Sequence, residues 1–138
     1  MKVCEGRISS PFGERIHPVT KVKSFHNGVD IATPIGTPVY SPVDALVAQV
    51  YYHKTGGKTI ILKDVKSGDR FGFCHLAVQL VKSGETIPKG FMIAKSGNTG
   101  RSTGPHLHYS YATGGKWIGS VCTGFSYQNP VHKIEFEI

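Results

Sequence analysis

The sequence predicts an all-β fold, a sandwich or barrel of short strands, and three observations predict it. Seventeen glycines and eight prolines are spread along 138 residues instead of gathering in one tract. They punctuate short runs rich in Val, Ile, Tyr, Phe and Thr, side chains that fit a pleated, half-buried surface. No long window carries apolar residues at the 3.6-residue period of a helix, and turn signals recur at Gly56-Gly57, Ser67-Gly68-Asp69 and Ser83-Gly84-Glu85, as they do between the strands of sandwiches and barrels.

Taken in order, the first thirty residues contain Ser9-Ser10-Pro11-Phe12-Gly13 and His17-Pro18, turn-rich text that reads as an ordered loop wrapping the sheet. Between Ser24 and Ala32 the text is denser, and Gly28, the β-branched Val29 and Ile31, and then Pro34 favour extended backbone over helix. Strands are expected at Thr37–Val43, Ala45–Tyr52, Thr59–Lys63, Arg70–His75, Phe91–Ser96 and His106–Ala112. The best helix candidate is a single turn around Ala77–Val81. No internal repeat or low-complexity linker divides the chain, and its length suits one hydrophobic core, so residues 1–138 are expected to form a single domain.

The formal net charge is +7, with Lys and Arg scattered singly from Lys2 to Lys133. Without a basic run or interleaved aromatics, no nucleic-acid footprint is visible, and no nucleic-acid partner is expected. Cys4, Cys74 and Cys122 are odd in number and widely spaced, so neither a disulfide framework nor a CxxC metal site is indicated. If the run holding Cys74 and His75 is a strand, those two side chains point to opposite faces, and the thiol reads as core filling. Residues 1–7 lack the apolar stretch of a secretory signal, and no segment is long and apolar enough to insert into a membrane. The chain then reads as a fragment of a longer protein, or as a product made in the cytoplasm and delivered by other means.

Two short motifs carry metal-binding chemistry. Hydrolytic zinc sites keep three protein ligands, drawn from His nitrogen, carboxylate oxygen and Cys sulfur, and leave one position open for water. In His26-Asn27-Gly28-Val29-Asp30 the candidates are four apart, and in His106-Leu107-His108 they are two apart. Either even spacing puts both on one face of a strand. The second motif follows Gly97-Asn98-Thr99-Gly100-Arg101-Ser102-Thr103-Gly104-Pro105, a loop of small residues that lets backbone and substrate come close. Two imidazoles flanking one leucine on a strand are costly to bury unpaired, which favours a site.

HxxxD, a later His75-Leu76 and a terminal HxH after Ser102-x-Gly104-Pro105-His106 resemble the lysostaphin/LytM-type zinc endopeptidases of peptidoglycan. The likeness covers nearly the whole chain: Ser9 to Pro18, His26 to Asp30, Gly36-Thr37-Pro38-Val39, His75-Leu76, Val81 to Glu85, Gly97 to Gly100, and Gly104 to His108. The resemblance implies a small antiparallel β-sheet or barrel-sandwich core with loops forming a narrow groove. It implies one Zn2+ per chain held by His26, Asp30 and His108, with His75 and His106 as the catalytic pair. The implied partner is bacterial peptidoglycan, its peptide stems and cross-bridges, cut by metal-activated water in the periplasm or outside the cell. The diffuse positive charge suits such a polyanionic surface. A monomer, delivered as a phage lysin or as part of a larger secreted protein, is the expectation.

The opening Phe12-Gly13-x-Arg15-x-His17-Pro18 resembles members that cut the bond from D-Ala to diaminopimelate, in preference to those that cut glycine bridges. His17 is a candidate for lining the groove, with a turn before Pro18 as the other reading; His53 and His132 read as surface residues and Tyr109 as packing. The sequence departs from the pattern at Phe73, where a tyrosine hydroxyl could contact substrate, at Ala45 in place of glycine, and at Tyr109-Ser110 after HxH. The rival readings are a non-catalytic wall-binding or hydrolase-activating module of the same fold, a biotinyl or lipoyl carrier, and a basic adhesive module. A carrier would need a lysine at an exposed hairpin tip and gives no reason for HxxxD with HxH, and the inactive activators have lost ligands that this chain keeps.

Overall fold

In the computed structural model, residues 1–16 and 19–137 are described. The longest apolar runs build the centre of the sheet, and shorter segments dress its edges. In chain order the strands are β1 (Arg7–Ser10), β2 (Gly13–Ile16), β3 (Lys23–His26), β4 (Val29–Ala32), β5 (Pro38–Tyr40), β6 (Ala45–His53) and β7 (Gly57–Asp64). There follow β8 (Arg70–Gln79), β9 (Thr86–Ile87), β10 (Met92–Ser96), β11 (His106–Thr113), β12 (Lys116–Ile118), β13 (Val121–Thr123) and β14 (Ser126–Gln128). A 3-10 turn at Pro130–Lys133 closes the series, capped by the Asn129 side chain.

The main sheet runs β1-β4-β11-β8-β7-β6-β9, and its pairings are antiparallel. β8 is long enough to serve two partners on one side: Arg70 to Cys74 pair with β11, and Leu76 to Gln79 pair with β10, which in turn pairs with β5. β14 adds to the far end of β11. Two separate hairpins, β2–β3 and β12–β13, flank this sheet.

Period-two alternation sorts the side chains. Phe71 and Phe73 of β8 and Tyr109 of β11 are fully buried, with Phe73–Tyr109 centroids at 5.3 Å and Phe71–Tyr111 at 5.0 Å. Each such side chain contributes about 1.5–3 kcal/mol by leaving water. Val29, Ile31, Ile60, Leu62, Leu76 and Leu107 complete the centre. The opposite face of β8 and β11, with Gly72, Cys74, His108 and Ser110, is the floor of the groove described below.

The six expected strands are present with shifted ends. The turn expected around Ala77–Val81 is instead the end of β8, because pairing with β10 satisfies its backbone more fully than one helical turn could. The opening is not a loop: β1 to β4 lie there, and β4 joins the main sheet between β1 and β11. The Phe73 side chain faces the core, so a tyrosine there would place its hydroxyl among apolar neighbours, away from any groove ligand. Ala45 begins β6 and is fully buried. Among the described residues no helix is long and apolar enough to cross a membrane.

Candidate metal centre

A cavity of about 550 Å³ opens at the ends of β3, β4, β8 and β11, and His26, Asp30, His75, His106 and His108 all line it. The β4–β11 ladder sets the first half of the site. Asp30 stands directly opposite His108 in the register, and His108 Nδ1 lies 2.9 Å from Asp30 Oδ1. His26 Nε2 lies 3.3 Å from the same oxygen. Gly28 makes this approach possible: a Cβ there would collide with the Tyr109 carbonyl oxygen and stand 3.1 Å from His108 Nε2.

Each ring is oriented by a partner behind it. His26 Nδ1 donates to the Pro11 carbonyl at 2.9 Å, so its Nε2 faces the cavity, open to a metal ion or a proton. His108 is turned the other way, with Nε2 donating to Asn27 Oδ1 at 2.8 Å and Nδ1 facing Asp30. One donor atom each from His26, Asp30 and His108 therefore converges, all within 4.8 Å of one another. Three electron-rich atoms so close repel unless a cation lies between them, and two imidazoles with one carboxylate suit a divalent metal with a position left open. The donor set fits such an ion.

The titration behaviour reflects this crowding. Burial acts to raise the Asp30 carboxyl, but hydrogen bonds and charges from His108 and His26 outweigh it and hold the group well below the usual carboxylate range. The hydrogen bond to Asp30 raises His26, against the opposing effect of its burial.

The second half of the site comes from β8 and the start of β11. His75 sits in a bulge: Thr59 alone stands opposite Cys74 and His75 together, between the Ile60–Phe73 and Lys58–Leu76 pairs. Its φ of 63° lies in the left-handed region, and its N–H donates to the Gly56 carbonyl at 2.7 Å. Its Nδ1 donates to the Thr99 carbonyl at 2.7 Å. His106 Nδ1 donates to the Gly104 carbonyl at 2.8 Å, with Ser102 Oγ at 3.2 Å. Both rings thus keep Nε2 free, with centroids 4.7 Å apart, and His106 Nε2 is 3.7 Å from Asp30 Oδ1. Burial lowers His75, with the Thr99 carbonyl opposing, so its neutral form is favoured.

All five residues singled out in the sequence meet in one cavity, although two local expectations fail. His26 and Asp30 do not share a strand; a turn at Asn27-Gly28 separates β3 from β4 and brings them together across it. Cys74 and His75 do not point to opposite faces, because the bulge turns both toward the groove. Cys74 is accordingly outside the core cluster. It is half-buried with Thr59 Oγ1 3.8 Å from its sulfur, and desolvation raises its pKa, keeping it a thiol. All three cysteines are free. His53 and His132 are exposed, Tyr109 packs as expected with its hydroxyl donating to the Lys133 carbonyl, and His17 lies outside the described residues.

Sequence reasoning missed the residues that aim the rings, above all Asn27 and Thr99. Thr99 also ties the loop together, its hydroxyl donating to the Leu76 carbonyl at 2.6 Å and accepting from Lys58 N at 3.1 Å. Both sit inside motifs whose glycines and histidines drew the attention, and no spacing rule marks them.

Known proteins resemble this chain in sequence and in fold. Over 132 residues the chain is 40% identical to the peptidoglycan DD-endopeptidase ShyA of Vibrio cholerae serotype O1, covering 94% of this chain and 30% of ShyA. It is 35% identical over 115 residues to the DD-carboxypeptidase/endopeptidase Mpg of Neisseria meningitidis serogroup B, covering 83% of this chain and 26% of Mpg. The chain thus spans under a third of the length of these curated relatives. Among solved structures, the catalytic domain of the antimicrobial peptidase lysostaphin from Staphylococcus simulans matches with a TM-score of 0.77 at 27% identity, covering 94% of this chain and 92% of that one. A zinc containing peptidase from Vibrio cholerae matches at 0.72 with 43% identity, covering 77% and 33%. Residues 24–120, well over half of the sequence, match the model for Peptidase family M23, and with the lysostaphin-like β architecture in place the chain belongs to that family.

Proposed function

We propose that this chain is a single catalytic domain that hydrolyses a peptide bond in bacterial peptidoglycan cross-links, acting at the cell wall as a monomer with one zinc ion held by His26, Asp30 and His108. The observation that carries this reading is the convergence of those three donor atoms beside two further imidazoles whose Nε2 atoms are free. When bound, zinc acts as a Lewis acid that polarises the scissile carbonyl and makes water acidic enough to attack near neutral pH.

The chain's own residues do the rest. His75 and His106 present Nε2 to the reacting atoms with Nδ1 locked on carbonyls, so either ring can take the proton from attacking water without turning. The other then stabilises the developing oxyanion or hands a proton to the leaving amine. The favoured neutral state of His75 suits a base. The Phe12-Gly13-x-Arg15 opening supports the bond from D-Ala to diaminopimelate over a glycine bridge as the target.

Purified walls incubated with wild type and with His106→Ala test this, alongside metal analysis of the purified protein. The wild type is expected to retain close to one zinc per chain and to release new amino termini about 10²-fold faster or more. Equal release by the two proteins would sink the mechanism. Mass spectrometry of the fragments from walls of two cross-link types identifies the bond.

A further inference from the structure

The groove does not end at the histidines. A second cavity, of about 230 Å³, continues from it across the outer face of the sheet and shares Asn27, Thr55, Gly56, Cys74 and His108 with the first. Arg70 carries the permanent charge of this extension, and no acidic residue lines it. Arg70 lies on β8 four residues before Cys74, and so on the same face. Its guanidinium carbon sits 4.5 Å from the Phe125 ring centroid. Nη1 comes within 3.6 Å of the point where a Cβ on Gly72 would stand. The missing side chain at Gly72 leaves room for the Ser110 hydroxyl, whose Oγ stands 2.5 Å from that point, and for the guanidinium, which lies over a point about 7 Å along the strand from Cys74. Cys74 in turn pairs with His108.

Among the described residues Arg70 makes no ion pair, though acidic residues are close in sequence. Asp69 is turned to the other face, where the Tyr111 hydroxyl donates to its Oδ2 at 2.7 Å. An arginine held over an aromatic ring, half-buried, with its planar fork of donors unspent, is built to take a carboxylate in bidentate fashion. Peptide extends at about 3.3–3.6 Å per residue, so this fork meets a substrate about two residues from the bond at the metal centre.

We infer that Arg70 is a specificity-determining residue: it forms a subsite for a free carboxylate on the peptide stem, about two residues along the groove from the scissile bond. The inference rests on the reading that the groove binds wall peptides, and it deepens that reading by requiring an anionic stem. An amidated stem meets an uncompensated guanidinium and loses affinity.

The test reads binding without turnover. The full chain carrying His106→Ala is titrated calorimetrically with a cross-linked stem peptide bearing free carboxylates and with the same peptide amidated. The free form is expected to bind about 10-fold tighter. Adding Arg70→Gln erases that preference, because the free form loses its partner and the amidated form no longer covers an unpaired guanidinium, while Arg70→Lys, which keeps the charge, retains part of it. A preference that survives Arg70→Gln, no preference before it, or equal loss for both peptides overturns the subsite. Nitrogen NMR of the Arg70 side chain during titration with N-acetyl-D-alanine, and with its amide, separates the two readings. A shift with the acid alone upholds the subsite even where neither stem peptide binds, an outcome that sinks the wall-peptide reading; no shift sinks the subsite itself.

Discussion

The two halves of the site are built by different means. The donors Asp30 and His108 face each other across a regular antiparallel ladder, whereas His75 is held by a bulge, a left-handed backbone and a loop pressed against it. A ladder transmits position through period and register, so it tolerates change in the surrounding loops. The bulge depends on contacts between segments far apart in sequence: Gly56, Gly57, Thr99 and Gly100 approach so closely that a Cβ on Gly57 would collide with Thr99, and one on Gly100 with Gly57. Metal binding and proton transfer are therefore expected to fail independently.

The largest effect is expected at the ladder. Asp30→Asn removes the one anionic donor and lowers turnover by on the order of 10³-fold or more, since the ion supplies several kcal/mol of transition-state stabilisation; zinc content measured on the same sample must fall with it. Next comes Gly28→Ala, which forces β4 away from β11 and costs about 1–3 kcal/mol by denaturant unfolding. An unchanged midpoint there would show that the strands can separate without cost.

The sharpest comparison pairs Asn27→Ala with Thr99→Ala. Asn27 supports only the donor half, so its loss weakens zinc affinity by about 10- to 100-fold. Thr99 supports only His75 and its loop, so its variant lowers kcat at saturating zinc while zinc affinity stays put. If both variants shift both quantities together, the halves are coupled and the division fails.

The smallest effect is in the pH dependence of the metal-stripped protein. Asp30, with its folded pKa depressed, stabilises the fold above its unfolded pKa of about 3.9 and loses that contribution as pH falls through the depressed value. His26, with its folded pKa raised, stabilises fully below about 6.5 and loses its contribution as pH rises through the raised value. His75, with its folded pKa lowered, works the other way and favours the unfolded state as pH falls below about 6.5, so the melting midpoint of the stripped protein is expected to peak toward the upper end of the window from about pH 4 to 6.5. Zinc replaces the proton on His26, so the loaded protein should not show the fall on the alkaline side.

The same division explains what could be read from the sequence. His106 and His108 flank the fully buried Leu107 on one strand, so alternation alone places both imidazoles on the groove face. His26 and Asp30 were legible as a pair, yet their shared strand was not real. Even spacing has the same consequence for one strand as for a turn that happens to restore the facing, and Asn27-Gly28 is short enough to do so. The fate of Ala77–Val81, at the end of the long β8, and of the four-residue strands β1 to β4 was hidden because such short stretches carry little apolar periodicity and exist by pairing with other segments. The bulge at Cys74-His75 was equally hidden, since nothing in Phe73-Cys74-His75-Leu76 records that Thr59 will stand opposite two residues.

At His75 the chemistry and the backbone ask for different residues. A side chain other than glycine in that left-handed conformation costs about 1–3 kcal/mol, a cost that glycine would erase and that the proposed role of the imidazole would offset. A descendant released from the need to cut anything would find glycine there an easy step toward a sturdier fold. If His75 acts on the reacting atoms as proposed, residue identity at this position records whether selection still demands hydrolysis.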